Sequence, residues 1–235
     1  MSAVDLETLQ HHYESVPSAV GFARKCSMNL PEGLESMRIL DLGCRRGKGV
    51  MKLAERAGVD GYVLGVDWIP DHVESARQYA LGHSHDMATC APCEFRLGYP
   101  EALDVAGVGE ESFDAVFVNC SMNLFFDLDV ALAYISRALR PGGMLMVDGV
   151  FSNAPRDPAV MEQARQLDNS VQSAPYLQEF LRQLGASGFQ IRELEAGEPV
   201  APDVGFTQET SVTCVNAVEN LEFATYAIRA YKRIP

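Results

Sequence analysis

The sequence predicts an α/β fold in which a mostly parallel sheet is covered by helices on both faces. Three observations carry this reading. Short apolar runs alternate with segments of helical period from Arg38 onward, glycines and prolines punctuate the boundaries, and the chain closes on a long alternating run. No internal repeat, low-complexity stretch or Gly/Ser linker interrupts the pattern, so a single domain is expected.

The elements follow in order. Arg38 to Asp41 reads as a strand, about Lys48 to Ala57 as a helix, Tyr62 to Val66 as a strand and Pro70 to Leu81 as a helix. Glu94 to Leu97 and Phe113 to Asn119 are strands, Val130 to Leu139 a helix, and Met144 to Val150 a strand after the break Pro141-Gly142-Gly143. Strand, helix, strand in sequence means parallel pairing with both sheet faces buried. Beyond it, Ala159 to Ser170 and Tyr176 to Ala186 are helical, Phe189 to Leu194 is a strand, and Phe223 to Tyr231 is a long alternating strand, so that this last third is expected to form an antiparallel edge. Residues 1–34 carry helical periodicity up to the break at Pro31-Glu32-Gly33 and form a cap, lying across the carboxyl ends of the strands or along an edge.

Composition excludes several function classes. At 235 residues and 47% hydrophobic, the chain can bury a substantial core, which rules out a disordered or fibrous protein. Its net charge of −13 repels phosphate backbones and anionic membranes, so no nucleic-acid partner is expected. No apolar run approaches the ~20 residues of a membrane span. The start, Met1 to Glu7, lacks the basic and apolar regions of a signal peptide, so the expected location is cytoplasmic. Cys26, Cys44, Cys90, Cys93, Cys120 and Cys214 are too scattered for a disulfide scaffold and are expected as thiols.

The first strand runs into Asp41-Leu42-Gly43-Cys44-Arg45-Arg46-Gly47 and then a helix. A glycine turn there brings a ligand against the backbone and the helix N-terminus, and Asp67, twenty residues after Gly47, is placed to accept both hydroxyls of a ribose. Asp41 would repel a pyrophosphate but would hold an ammonium, which favours S-adenosylmethionine over a dinucleotide. On Asp41-Leu42-Gly43-Cys44, Asp67, Ser112-Phe113-Asp114-Ala115-Val116 and Leu139-Arg140-Pro141-Gly142-Gly143, the chain resembles the class I methyltransferases. The resemblance implies a Rossmann-like seven-stranded sheet with an antiparallel last strand. Candidate cofactor residues are Asp41, Gly43, Cys44, Arg45, Gly47, Asp67, Trp68, Tyr99, Pro100, Glu101 and Asn119, with Trp68 packing on the adenine or in the core. Arg45 replaces a glycine of the family pattern. Either it turns outward from a widened loop, or, as favoured here, its guanidinium pairs with the cofactor carboxylate.

Sulfonium methyl transfer is an in-line displacement that needs chiefly alignment and exclusion of water. Cys120 follows the fourth strand, where ligands lie in open α/β sheets. The segments Cys26-Ser27-Met28-Asn29-Leu30-Pro31-Glu32-Gly33 and Val118-Asn119-Cys120-Ser121-Met122-Asn123-Leu124 are similar to the arsenite methyltransferases, as is Phe95 to Leu103. That resemblance implies that Cys26 and Cys120 act as catalytic thiolates on trivalent arsenic, a soft centre that prefers sulfur ligands, with a small thiol as reductant and no resident metal. Ser170 stands where the family has a third cysteine. A serine hydroxyl is a poor arsenic ligand, which leaves two thiolates for a thiol adduct or a monomethylated species. Two rival readings remain: an organic small-molecule methyltransferase with Cys120 lining its pocket, and a binding protein of this fold without catalysis. Cys90-Ala91-Pro92-Cys93 reads as a loop with incidental thiols. Within the expected single domain, residues 1–34 form the cap, 35–150 the cofactor core, and 151–235 the substrate-side helices and last strands.

Overall fold

A computed structural model describes residues 4–15, 28–83, 89–166, 171–201 and 221–234. Seven strands, β1 (Arg38–Leu42), β2 (Tyr62–Asp67), β3 (Cys93–Leu97), β4 (Phe113–Asn119), β5 (Leu139–Ser152), β6 (Phe189–Pro199) and β7 (Phe223–Lys232), form one sheet in the order β3-β2-β1-β4-β5-β7-β6. Strands β1 to β5 pair in parallel, and β7 runs antiparallel to both neighbours. The strand order reverses at β1 and β4, which opens a crevice beyond their carboxyl ends.

Successive strand residues point to opposite faces and feed two separate cores. Ile39, Val63, Phe117 and Met146 pack on one face against α2 (Lys48–Ala57) and α3 (Pro70–Gly82). On the other face Leu40, Leu64, Val116 and Leu145 meet Leu132 and Ile135 of α4 (Leu128–Ala138) and Phe180 and Leu184 of α6 (Leu177–Ala186). Each such side chain contributes about 1.5–3 kcal/mol through burial. α5 (Pro158–Gln166) follows β5.

The cap helix α1 (Leu6–Ser15) buries Leu9 and Tyr13, while Met28 to Leu34 is not helical. It crosses the carboxyl ends of the strands: Tyr13 packs against Trp68 after β2 and Tyr99 after β3, and His12 Nε2 donates to the Leu124 carbonyl after β4 at 3.1 Å.

Several boundaries differ from the sequence reading for local reasons. α4 starts two residues early because the Asp127 carboxylate caps it, accepting from the Val130 amide at 3.0 Å. β5 takes in Pro141-Gly142-Gly143, its register with β4 shifting between Phe113 and Ala115. β6 continues past Leu194 to Pro199 with residues 192–199 exposed, held by main-chain pairing with β7 rather than by burial. The helix expected to reach Ser170 is described only as far as Gln166, and Ser170 lies outside the described residues. No helix among the described residues is long and apolar enough to cross a membrane.

Candidate active site

The glycine loop turns sharply between β1 and α2. Gly43 and Gly47 both have left-handed backbones, at φ 77° and 78°. A Cβ on Gly43 would stand 2.7 Å from Ser121 Oγ and 3.2 Å from the Trp68 ring, so no side chain fits there. Arg45 holds the same kind of conformation at φ 49°, one that favours glycine.

Two carboxylates sit under this loop. Asp67 is buried and accepts from the amides of Arg45 at 2.8 Å and Ile69 at 3.0 Å and from His72 Nδ1 at 3.1 Å. Asp41 is 3% exposed, and burial together with repulsion from Asp67 pushes its carboxyl up to about 7. The Cys44 thiol packs down against β2, where a Cβ on Gly65 would lie 2.9 Å from it, and burial pushes its pKa well up; its amide donates to the Val66 carbonyl at 3.2 Å and its carbonyl accepts from the Gly47 amide at 2.9 Å.

The Tyr13 ring packs against both Trp68 and Tyr99, with centroids at 4.8 and 5.5 Å. The Tyr13 hydroxyl donates to the Glu101 carboxylate, 3.0 Å from each oxygen, and Glu101 also accepts from the Asp127 amide at 3.2 Å. Pro100 and Glu101 are buried in the same loop, and burial pushes the Glu101 carboxyl up. Glu101 thereby joins the cap, the loop after β3 and the start of α4.

Asn119 ends β4, and its Oδ1 is buried without a hydrogen-bond partner, as is Trp68 Nε1. Two buried polar atoms without a hydrogen-bond partner, together with a carboxylate that burial and Asp67 push toward its neutral form, suit a crevice that takes the cationic S-adenosylmethionine. The residues therefore fit that cofactor: Asp41 and Asn119 would take its ammonium end, Asp67 its ribose, and the Trp68 side of the crevice its adenine.

Cys120 follows with a left-handed backbone at φ 54°, and its amide donates to the Asp148 carbonyl at 2.7 Å. With Met122, Asn123 and the Val147 to Phe151 stretch of β5 it lines a narrow cleft of about 20 Å³. Cys120 is in a disulfide, whereas Cys44, Cys90 and Cys93 are free. The expectation of thiols throughout thus fails at Cys120, a half-buried sulfur that another sulfur reaches. Cys26, Ser170 and Cys214 lie outside the described residues. Cys90 and Cys93 are half-buried at the start of β3, and burial with the neighbouring Cys90 pushes the Cys93 thiol up to about 11. Among the described residues no group of three or more His, Cys, Asp or Glu side chains could hold a metal.

Sequence reasoning missed Asp148 and Arg229. Both are buried, their side chains meet at 2.9 Å, and together they grip the main chain of Asn29. The available signal was an acid inside the apolar run Met144 to Val150 and a base inside β7. A larger cavity of about 540 Å³ adjoins the cleft, lined by Phe125, Phe126, Met161, Arg165 and Tyr176 among others.

A sheet in this order, with a glycine turn after β1 and acids ending β1 and β2, is the class I methyltransferase fold. The family model for a methyltransferase domain matches residues 34–195, and the chain belongs to that family. S-Adenosylmethionine is the cofactor that the fold and family imply. The chain resembles the arsenite methyltransferases within it. It is 36% identical to the Mus musculus arsenite methyltransferase over 148 residues, which cover 63% of this chain and 39% of that one. An arsenic (III) S-adenosylmethionine methyltransferase from Chlamydomonas reinhardtii superposes with a TM-score of 0.73 at 26% identity, over 97% of this chain and 74% of that one. The Penicillium expansum O-methyltransferase cnsE is 30% identical over 164 residues, 66% of this chain and 54% of that one. The chain spans about two fifths of the length of the mouse relative.

Proposed function

We propose that this chain is an S-adenosylmethionine-dependent methyltransferase whose substrate is trivalent arsenic, arsenite or methylarsenite, held by the thiolates of Cys26 and Cys120. The observation that carries the reading is the left-handed Cys120, tied through its amide to Asp148 and facing the cleft beyond β4 and β5. A non-glycine residue in that conformation costs about 1–2 kcal/mol, strain of the kind that clusters where a side chain must be aimed.

When bound, the cofactor supplies an electrophilic methyl group on a cationic sulfur. The chain's part is to position the nucleophile. Asp41, ionised, balances the cationic end of the cofactor, and Asp67 fixes the ribose. A sulfur-ligated arsenic keeps a lone pair that would take the methyl group without a general base, the C–S electron pair leaving with the cofactor's sulfur as a neutral thioether; arsenic thereby rises from the trivalent to the pentavalent level, and two further small thiols, becoming a disulfide, would return it to the trivalent level. The disulfide at Cys120 opens first: two small thiols give up two electrons and two protons, becoming a disulfide, and Cys120 and its partner sulfur become thiols.

The cavity of about 540 Å³ favours a second reading, an organic acceptor, because it falls in the range of roughly 300–1,000 Å³ usual for small-molecule pockets. Likeness to an O-methyltransferase points the same way. The decisive comparison is Cys26→Ser against wild type with methylarsenite and with phenolic acceptors. Arsenic turnover lost in the variant supports thiolate capture. Turnover of a phenol that survives the substitution supports the organic reading, and failure to bind S-adenosylmethionine at millimolar concentration means a binding protein that has lost catalysis.

A further inference from the structure

Asp148 and Arg229 are buried at 2% and 3% exposure, and they face each other across the β5–β7 pairing with Arg229 Nη1 2.9 Å from Asp148 Oδ1. Both sides of the pair also hold one residue of another segment. Asp148 Oδ2 accepts the amide of Asn29 at 2.6 Å, and Arg229 Nη2 donates to the carbonyl of the same Asn29. The main chain of Asn29 is thus gripped at its donor and its acceptor, as a neighbouring strand would grip it. The carbonyl of Asp148 meanwhile takes the amide of Cys120 at 2.7 Å.

A buried ion pair is a poor source of stability, since desolvation offsets most of its attraction. Its worth lies in what it fixes. Asn29 stands three residues after Cys26, a length of chain that spans at most about 11 Å. One residue, Asp148, therefore holds both the strained Cys120 and Asn29, the third residue after Cys26 in the sequence. We propose that Asp148 and Arg229 are positioning residues that set the two cysteine-bearing segments in register for one shared soft ligand. The inference rests on the two-cysteine reading above and adds the groups that make it geometrically possible.

The test uses the full chain, reduced, with phenylarsine oxide as a probe that needs two neighbouring thiols; methyl transfer to methylarsenite is followed separately, so that loss of catalysis and loss of positioning are told apart. Removing groups that orient metal ligands typically weakens binding 10–100-fold. Arg229→Met, kept to preparations with a cooperative thermal transition, is expected to bind the probe weaker by about that factor. The neutral double substitution Asp148→Asn with Arg229→Gln keeps an acceptor for the Asn29 amide and a donor for its carbonyl. It is expected to restore probe affinity to within a few-fold, which a charge-based stabilising role would not do. Equal probe affinity in wild type and folded Arg229→Met overturns the proposal. So does wild-type probe binding that is indifferent to Cys26→Ser and Cys120→Ser. Probe binding with the expected pattern but no methyl transfer to arsenic upholds the positioning role and sinks the arsenic reading alone.

Discussion

Arg45 donates its amide to Asp67 Oδ2 at 2.8 Å while its own backbone sits in the left-handed region at φ 49°. An arginine here accepts the strain that a glycine would avoid. If its guanidinium pairs with the cofactor carboxylate, a charge-assisted bond of about 1.5–3 kcal/mol is at stake. Arg45→Gly is then expected to weaken S-adenosylmethionine binding by roughly 10–100-fold without lowering the melting temperature. Isothermal titration and a thermal melt read the two effects, and unchanged or tighter binding would mean that the side chain turns away.

Asp41 gives a pH dependence with a definite sign. Burial and Asp67 push its carboxyl up to about 7, so the free protein is protonated there below neutrality. A cationic ligand favours the ionised form, so binding releases a proton and affinity rises with pH. From pH 6 to 7.5 the ionised fraction climbs about eightfold, and the apparent affinity should climb with it. That window stays below the range of about 7.7–8.0 in which an α-amino group itself titrates. Calorimetry in buffers of different ionisation heat should register the released proton, and Asp41→Asn should flatten the profile.

The cap is fastened by one hydroxyl. Tyr13 donates to Glu101, and Glu101 in turn accepts from Asp127 at the start of α4. Tyr13→Phe leaves a buried carboxylate short of a donor at a cost of about 1–3 kcal/mol. Hydrogen exchange in α1 should quicken to match, while amides in β1 and β4 keep their protection. Equal protection of α1 in both proteins would place its anchoring in Leu9 and the ring stack instead.

Gly43 tolerates no side chain, because a Cβ there meets Ser121 Oγ at 2.7 Å and φ is 77°. Gly43→Ala is expected to lower stability by about 1–3 kcal/mol and to weaken cofactor binding. Adding Ser121→Gly should recover part of the stability by removing the clash, leaving the backbone strain.

Much of this was legible in the sequence because it is local. Ile39 and Leu40, or Val63 and Leu64, apolar side by side, reveal that each strand is buried on both faces. The glycine loop and Asp67 were readable because twenty residues of spacing reflect one helix and one strand. What escaped is what the fold brings together from afar. Asp148 and Arg229 are 81 residues apart, and neither shows its partner in any local period. Tyr13 and Glu101 lie 88 apart, and the polar helix around Tyr13 shows nothing of its partner. The outer end of β6, Glu195 to Pro199, was missed because its residues are exposed, and only pairing with β7 makes them a strand. The disulfide at Cys120 was unreadable because sequence spacing does not show which sulfurs meet.

The central claim is that sulfur at position 120 holds the methyl acceptor. The most direct measurement is transfer of label from S-adenosylmethionine to methylarsenite in excess small thiol, comparing wild type with Cys120→Ser and checking that both bind the cofactor alike. The account predicts turnover in the wild type and none in the variant. Equal turnover in the two proteins, or none in a wild type that binds the cofactor, would contradict it.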